Sequence, residues 1–129
     1  MIKILFVDDE IERVYWFKEL FGDIPFNFLH CDNPMDAIRK IRTETFDLIF
    51  LDHDLGDGEI SGVDVASCMY GSKNRFSKVI IHSANIVGAY NIFKTLESMG
   101  IKSDLISVTD EDYKELTRKA IIEGRLFTG

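Results

Sequence analysis

Short apolar runs alternate with segments of helical periodicity along the whole chain, and this alternation constrains the fold more than any other feature of the sequence. The runs are rich in Ile, Leu, Val and Phe and lack polar alternation, a pattern typical of strands buried on both faces of a parallel sheet. The predicted strands are Ile2–Val7, Phe26–His30, Phe46–Leu51, Val79–Ile81 and Leu105–Val108. Because both faces are apolar, helices must cover both sides of the sheet.

The segments between the runs place apolar residues at helical spacing, and capping residues mark several of their ends. Asn33 and Pro34 are typical of an N-cap followed by the first helical residue. Gly22, Gly100 and Gly124 are expected to end helices. The predicted helices are Ile11–Phe21, Met35–Ile41, Val63–Met69, Ala89–Met99 and Asp112–Ile122. Five strand–helix repeats predict a doubly wound α/β fold, a (βα)₅ three-layer sandwich, in one domain spanning residues 1–129.

Composition and charge narrow the functional classes. With 129 residues, of which 46% are hydrophobic, the chain has enough apolar surface to form a core and is not disordered. No apolar run approaches the roughly 18 residues that span a membrane, and Cys31 and Cys68 lack metal-ligand spacing, so we expect a reduced, cytoplasmic protein. The net charge of −7 disfavours an extended nucleic-acid surface, and the sequence leaves the oligomeric state open.

Polar residues follow three of the predicted strands at their carboxyl ends. Asp8 and Asp9 follow the first strand, Asp52 the third, and Ser83 and Asn85 the fourth. Ligands of doubly wound sheets bind outside these strand ends, at the point where the strand order reverses. Three carboxylates there suit Mg²⁺, or Mn²⁺ in its place, together with a phosphate. A single acid would be interpreted as a solvated cap, but their convergence favours a functional site in which Asp52 is the nucleophile and forms an aspartyl phosphate.

The acid- and glycine-rich segment 52–61 invites comparison with a calcium-binding loop. A register that starts at Asp52 puts Gly56 where an acid belongs and Asp57 where the glycine belongs. The preceding residues are also strand-like rather than helical, so an EF-hand is rejected. The glycines of segment 56–62 indicate a mobile acidic loop over the strand ends, for which an ordinary surface turn and a substrate gate are equal alternatives.

Two histidines flank the predicted site residues. His53 follows Asp52, and His82 precedes Ser83, so either imidazole is a candidate general acid, general base or phosphate donor. Side chains alternate across a strand, so a histidine points away if its neighbour faces the site. Both interpretations stay open at this point, whereas His30, on the weakest strand, is predicted to be structural.

Three segments carry a resemblance that covers essentially the whole chain. They are Ile4–Glu10, Asp47–Asp52 and Ile80–Ala84. Together they resemble the receiver domains of two-component response regulators. The resemblance implies the (βα)₅ receiver fold, with a histidine kinase or another phosphodonor as the partner.

The same resemblance implies a role for each matching residue. Asp8 and Asp9 would be the acid pair that binds Mg²⁺, Asp52 the phosphoacceptor, and Ser83 the hydroxyl that contacts the phosphoryl group. The two variable positions that influence how fast the aspartyl phosphate hydrolyses would be Asp54 and Asn85.

The end of the fifth predicted strand departs from the receiver pattern. Receivers carry a Lys-Pro pair there and an aromatic residue three positions before the lysine, and these places fall on Ser107, Val108 and Asp104. The lysine normally offsets phosphoryl charge, so its loss removes a cation from an acidic site. Lys78 and Lys102 are nearest in sequence, but neither is at the matching strand end. This departure therefore argues against conventional output driven by phosphorylation.

Two blocks resemble a divergent receiver group more closely. Leu51–Gly56 and His82–Asn85, followed by Val87 and Gly88, are similar to the cyclic-phosphate processing receiver domains, a group tied to RNA repair and nucleotide-derived cyclic phosphates. This resemblance implies action on a phosphate ester rather than storage of a phosphoryl group. Two carboxylates two residues apart divide the nucleophile and acid/base roles. The residues implied to act are Asp52 and Asp54, assisted by His53, His82 and Asn85.

Three functional hypotheses follow, in this order. The first is a Mg²⁺-dependent enzyme that hydrolyses or opens a cyclic or terminal phosphate of a nucleotide or RNA end. The second is a single-domain response regulator that is phosphorylated on Asp52 in a phosphorelay. The third is a pseudo-receiver that only binds a protein partner, ranked last because relic sites seldom keep the acid pair, nucleophile and hydroxyl together.

Overall fold

A single parallel sheet lies at the centre of the computed structural model, which describes residues 1–56 and 58–128. Its strands are β1 (Ile2–Val7), β2 (Phe26–Cys31), β3 (Leu48–Leu51), β4 (Lys78–Ile81) and β5 (Ser103–Leu105). Their spatial order is β2-β1-β3-β4-β5, so the order reverses beside β1. The register pairs Val7 with Leu51 and Leu51 with Ile81, which brings the carboxyl ends of β1, β3 and β4 level. The predicted doubly wound α/β fold is confirmed.

Helices cover both faces of this sheet. They are α1 (Ile11–Phe21), α2 (Pro34–Thr43), α3 (Gly62–Ser67), α4 (Ile86–Ser98) and α5 (Tyr113–Thr128), and a short 3₁₀ helix, Lys73–Phe76, precedes β4. One apolar core joins the sheet to α2, α3 and α4, and the other joins it to α1 and α5. Alternation along β1 feeds both cores, because Leu5 and Val7 face the first while Ile4 and Phe6 face the second.

The fifth strand differs from its prediction. We expected it at Leu105–Val108, but β5 pairs with β4 through Ser103, Asp104 and Leu105. Ile106 only extends the ladder, donating its amide to the Ile81 carbonyl at 2.9 Å. Because β5 is the edge strand, backbone pairing rather than burial decides its position, and its side chains are half-buried or exposed.

Local hydrogen bonds explain two further shifts. We expected the third strand to begin at Phe46, but the Asn74 side chain accepts the Phe46 amide at 2.8 Å, so β3 begins only at Leu48. The Asn85 side chain accepts the Gly88 amide at 2.9 Å and starts α4 at Ile86, before the predicted Ala89.

The remaining helix boundaries lie close to their predictions, with one exception. α5 continues to Thr128, past the glycine expected to end it. In the acidic loop, Asp57 lies outside the described residues. None of the helices in the described part of the chain combines the length and the apolar character that a membrane crossing requires.

Candidate functional site

Two buried carboxylates stand side by side where β1 and β3 end. The Asp52 amide donates to the Val7 carbonyl at 3.1 Å, which continues the β1–β3 pairing by one residue and sets Asp52 beside Asp8. Asp8 Oδ1 accepts the Glu10 amide, and Asp52 Oδ1 accepts the His53 amide, each at 2.8 Å. These bonds fix the carboxylates and leave the Oδ2 atom of each for other partners.

Asp9 completes a group of three carboxylates that we call the acid cluster: Asp8, Asp9 and Asp52. One ligand atom from each lies within 4.8 Å of the others, with Asp9 exposed at the mouth and the other two buried. This donor set fits Mg²⁺, which prefers oxygen ligands and usually retains several waters and a substrate phosphate. The residues predicted to hold a metal ion are therefore brought together.

Arg13, in the first turn of α1, lies over the acid cluster. Its Nη1 is 3.1 Å from Asp52 Oδ2 and 3.3 Å from Asp8 Oδ2, and its Nε is 3.3 Å from Glu10 Oε2. Sequence reasoning missed this residue. A signal exists, because Arg13 precedes the buried Phe17 by four residues and so shares the inward face of the helix.

His82 lies beneath the acid cluster and is fully buried. Its Nε2 is 3.3 Å from Asp8 Oδ2, and its ring centroid is 4.7 Å from that of Phe6 and 5.8 Å from that of Phe50. Within the described residues, neither ring nitrogen has a hydrogen-bond partner of good geometry. His82 thus contacts the acid cluster at Asp8.

The two buried carboxyls have opposite electrostatic environments. Burial acts to raise the pKa of Asp8, but the His82 ring, the Glu10 amide and the charge of Arg13 outweigh it and hold the pKa below its ordinary value. Burial also raises the pKa of Asp52, and the negative charge of Asp8 raises it further. Neighbouring carboxylates whose pKa values are pushed apart are typical of sites that divide chemical roles.

His53 and Asp54 form an imidazole–carboxylate pair on the opposite side of the site from His82. His53 Nδ1 lies 2.8 Å from Asp54 Oδ1, and Asn85 Nδ2 donates to the same oxygen at 3.3 Å. The bond to His53 lowers the pKa of Asp54. A carboxylate only accepts hydrogen bonds, so the pair places a proton on Nδ1 and leaves Nε2 for another partner.

Two glycines make room for His53. Its ring lies against Gly88 on α4, and its Cα lies close to Gly62, where a Cβ would stand 2.9 Å away. The imidazole therefore occupies a defined place between the end of β3 and the start of α4.

Ser83 is nearly buried, and its Oγ accepts the Asn85 amide at 3.1 Å. At the end of β5, the Ser107 hydroxyl contacts Thr109 Oγ1 at 2.8 Å in an exposed turn. Lys78, which begins β4 at the far edge of the sheet, pairs with Asp104 and Glu123. Arg13 is thus the lysine or arginine side chain in the described part of the chain that pairs with both buried acids.

A family model gives the most specific comparison. The model described as the cyclic-phosphate processing receiver domain matches residues 3–98, a segment that includes every candidate residue from Asp8 to Asn85. No curated protein matches the chain in sequence.

Solved structures with the same fold come from response regulators and a histidine kinase. A CheY-like receiver domain from Methanospirillum hungatei JF-1 is 16% identical, with a TM-score of 0.75 over 97% of this chain and 94% of that chain. The receiver domain of Francisella response regulator 1452 is 20% identical, with a TM-score of 0.75 over 98% and 99%. The receiver domain of sensor histidine kinase PA1611 from Pseudomonas aeruginosa PAO1, solved with magnesium coordinated in its active site cleft, is 17% identical, with a TM-score of 0.70 over 92% and 93%.

Proposed function

We propose that this chain, which belongs to the cyclic-phosphate processing receiver domains, hydrolyses a phosphate ester at the acid cluster. The substrate class is a cyclic or terminal phosphate of a nucleotide or an RNA end. The observation that carries the proposal is the His53–Asp54 pair, whose imidazole directly follows the buried Asp52 carboxylate and is oriented by a second carboxylate. A carboxylate nucleophile next to an oriented imidazole is the equipment that phosphate-ester cleavage needs.

The acid cluster would hold the divalent cation. Magnesium bound there neutralises negative charge on the phosphate and orients it. The PA1611 receiver domain, with magnesium coordinated in its active site cleft, supports this assignment. Asp8 and Asp52 are already fixed by backbone amides, so the two carboxylates themselves need little reorganisation to become ligands.

The reaction can be written with one nucleophile and one imidazole. His53 starts with a proton on each ring nitrogen, the Nδ1 proton donated to Asp54 and the Nε2 proton available to the leaving group. Asp52 attacks phosphorus, the bond from phosphorus to the leaving ester oxygen breaks, and that oxygen takes the Nε2 proton of His53. Water then attacks the phosphorus of the aspartyl ester and gives a proton to Nε2, and the bond from phosphorus to Asp52 breaks. One water is consumed, and both side chains return to their starting states.

The other candidate residues act through these two. Asp54, with its lowered pKa, stays ionised, accepts the Nδ1 proton of His53 in a hydrogen bond and orients the ring, while Asn85 keeps Asp54 in place. His82, which has no exposed surface, positions Asp8. The Ser83 hydroxyl, fixed by the Asn85 amide, is assigned to the phosphoryl oxygens.

A second candidate function is phosphoacceptance at Asp52 from a histidine kinase or a small phosphodonor. The arrangement of Ser83 favours it, because the hydroxyl is held near the start of α4 at the position that the receiver pattern assigns to phosphoryl contact. In this function Asp52 keeps the phosphoryl group rather than releasing it.

Turnover and mass separate these functions. Wild type, Asp52→Asn and His53→Gln are incubated with 2′,3′-cyclic nucleotides and RNA ends in Mg²⁺ or Mn²⁺, with Asp23→Asn as a control at the far end of α1. The enzyme is supported if wild type and Asp23→Asn hydrolyse a substrate while Asp52→Asn and His53→Gln do not. The response regulator is supported if no substrate is turned over and a small phosphodonor adds one phosphoryl mass to wild type. Asp52→Asn should not gain this mass. Absence of turnover, mass gain and metal binding leaves a pseudo-receiver.

A further inference from the structure

Arg13 occupies the oxygen atoms that a divalent cation would need. Its Nη1 contacts Oδ2 of both Asp8 and Asp52, and these are the two oxygens that no backbone amide takes. A guanidinium and a metal ion on the same pair of oxygens would lie close together and repel each other, because both are positively charged. Loading the acid cluster therefore favours a displacement of Arg13 from at least one of its partners.

The Arg13 side chain has a further carboxylate partner, which lies toward solvent. Its Nε contacts Glu10, which is 57% exposed, and Arg13 itself is 19% exposed, so the guanidinium borders solvent at the mouth of the site. Glu10 gives the displaced side chain an anchor on that side. The planar fork of arginine matches phosphate as well as it matches carboxylate.

A phosphate entering this site meets three carboxylates and needs a cation from the protein. At the end of β5 the chain offers Ser107 in place of a lysine, and Lys78 is engaged with Asp104 and Glu123 at the far edge of the sheet. We propose that Arg13 is the phosphate-binding residue of this site, and that the divalent cation and Arg13 exchange places on Asp52 as the phosphate enters.

The proposed function supplies the phosphate compound in this inference, but the exchange itself can be measured without turnover. Arg13 has two opposing effects: its charge competes with the metal ion for Asp8 and Asp52, and it attracts the phosphate. An arginine that serves only to neutralise buried acids would have the first effect and not the second.

Calorimetry on the whole chain measures both effects. Mg²⁺ is titrated first, and inorganic phosphate is then titrated at saturating Mg²⁺, for wild type, Arg13→Gln and Arg13→Lys. The matched control is Arg39→Gln, which removes an exposed arginine that pairs with Asp36 on α2. Thermal unfolding of each variant verifies that it is folded.

We expect Arg13→Gln to bind Mg²⁺ about tenfold more tightly and phosphate at least about tenfold more weakly, while Arg39→Gln matches wild type. Arg13→Lys should keep Mg²⁺ affinity near that of wild type and still lose phosphate affinity, because an ammonium lacks the bidentate fork. If Arg13→Gln does not fold, this loss in Arg13→Lys alone decides.

Three outcomes overturn the inference: unchanged phosphate affinity in the folded Arg13 variants, weaker Mg²⁺ binding by Arg13→Gln, or a wild type that binds no phosphate at saturating Mg²⁺. A wild type that hydrolyses esters while Arg13→Gln binds phosphate normally refutes the role of Arg13 and keeps the proposed function. If Arg13→Gln binds Mg²⁺ more tightly and phosphate more weakly but wild type turns over no ester, the role of Arg13 stands and the proposed enzyme is refuted.

Discussion

The imidazole of His53 packs directly on the backbone of Gly88, in the first turn of α4. A Cβ at residue 88 would stand 2.5 Å from Nδ1 and 2.6 Å from Cδ2 of that ring, distances at which the ring must move. Since Nδ1 is also the atom that contacts Asp54, the position of the imidazole–carboxylate pair depends on a glycine in another element.

Gly88→Ala should therefore impair the site without unfolding the chain. We expect kcat for ester hydrolysis to fall by about 10- to 100-fold, since a displacement of roughly 1 Å near the reacting groups costs that much. The helix should persist, because alanine favours a helix interior over glycine by up to about 1 kcal/mol. Steady-state kinetics and circular dichroism measure the two effects. In a His53→Ala background Gly88→Ala should cause no further fall in kcat. A further fall there as large as in wild type would contradict the mechanism.

Asp52→Asn should stabilise the metal-free protein at neutral pH. A carboxyl whose pKa is higher in the folded than in the unfolded state destabilises the fold when ionised, and this cost disappears as the pH falls through the folded-state pKa. We expect the free energy of unfolding to rise, because the amide removes a negative charge that is buried beside Asp8. Urea unfolding in EDTA measures it, and the gain over wild type should shrink in acid. A less stable Asp52→Asn would show that the charge is stabilising.

Asp8→Asn should have the opposite effect. The pKa of Asp8 is lowered by folding, so its stabilisation is complete above the ordinary aspartate pKa of about 3.9 and is lost as the pH falls through the lower folded-state pKa. We expect Asp8→Asn to unfold at a lower urea concentration than wild type at pH 7, and the difference to narrow in strong acid. Asp23→Asn, which removes an exposed ion pair with Arg118, should change little. Equal shifts in Asp8→Asn and Asp52→Asn would argue against their assigned environments.

Metal binding should be visible in the fluorescence of Trp16. Its ring stacks on Tyr113 at 4.9 Å and 15°, and it lies on α1 three residues after Arg13. Burial raises the pKa of Tyr113 to about 12, so the phenol stays neutral during a titration near neutral pH. We expect a saturable Mg²⁺-dependent change in wild type, and at least about tenfold weaker apparent affinity in Asp52→Asn. A signal that is identical in both proteins would place the metal elsewhere.

One inner strand, β1, and one edge strand, β5, show what sequence could and could not predict about the fold. β1 was predicted to the residue, because Ile2–Val7 is apolar except at Lys3 and Asp8 ends the run abruptly. β5 was not, since its residues Ser103 and Asp104 are polar and are recruited by pairing with Val79 and Ile80. The hydrophobic pattern of a sequence indicates which residues are buried, but an edge strand is held mainly by hydrogen bonds of its backbone.

The candidate site divides in the same way. The acids were predicted because parallel strands end together, but the contact of Arg13 with Asp52 depends on how α1 packs over the strand ends. Alternation left open which histidine faces the site. In the structure they lie on opposite sides of the strand ends, His53 near α4 and His82 on the side of α1 and α5, and each contacts an aspartate.

The candidate site thus contains side chains from both helical layers of the sandwich. Arg13 belongs to α1 on one face of the sheet, whereas Asn85 caps α4 on the other. A ligand held by both would stabilise two helices that lie on opposite faces of the sheet. Local opening of α1 and of α4 would then become correlated, and the amide hydrogens of both helices would exchange more slowly together when the pocket fills.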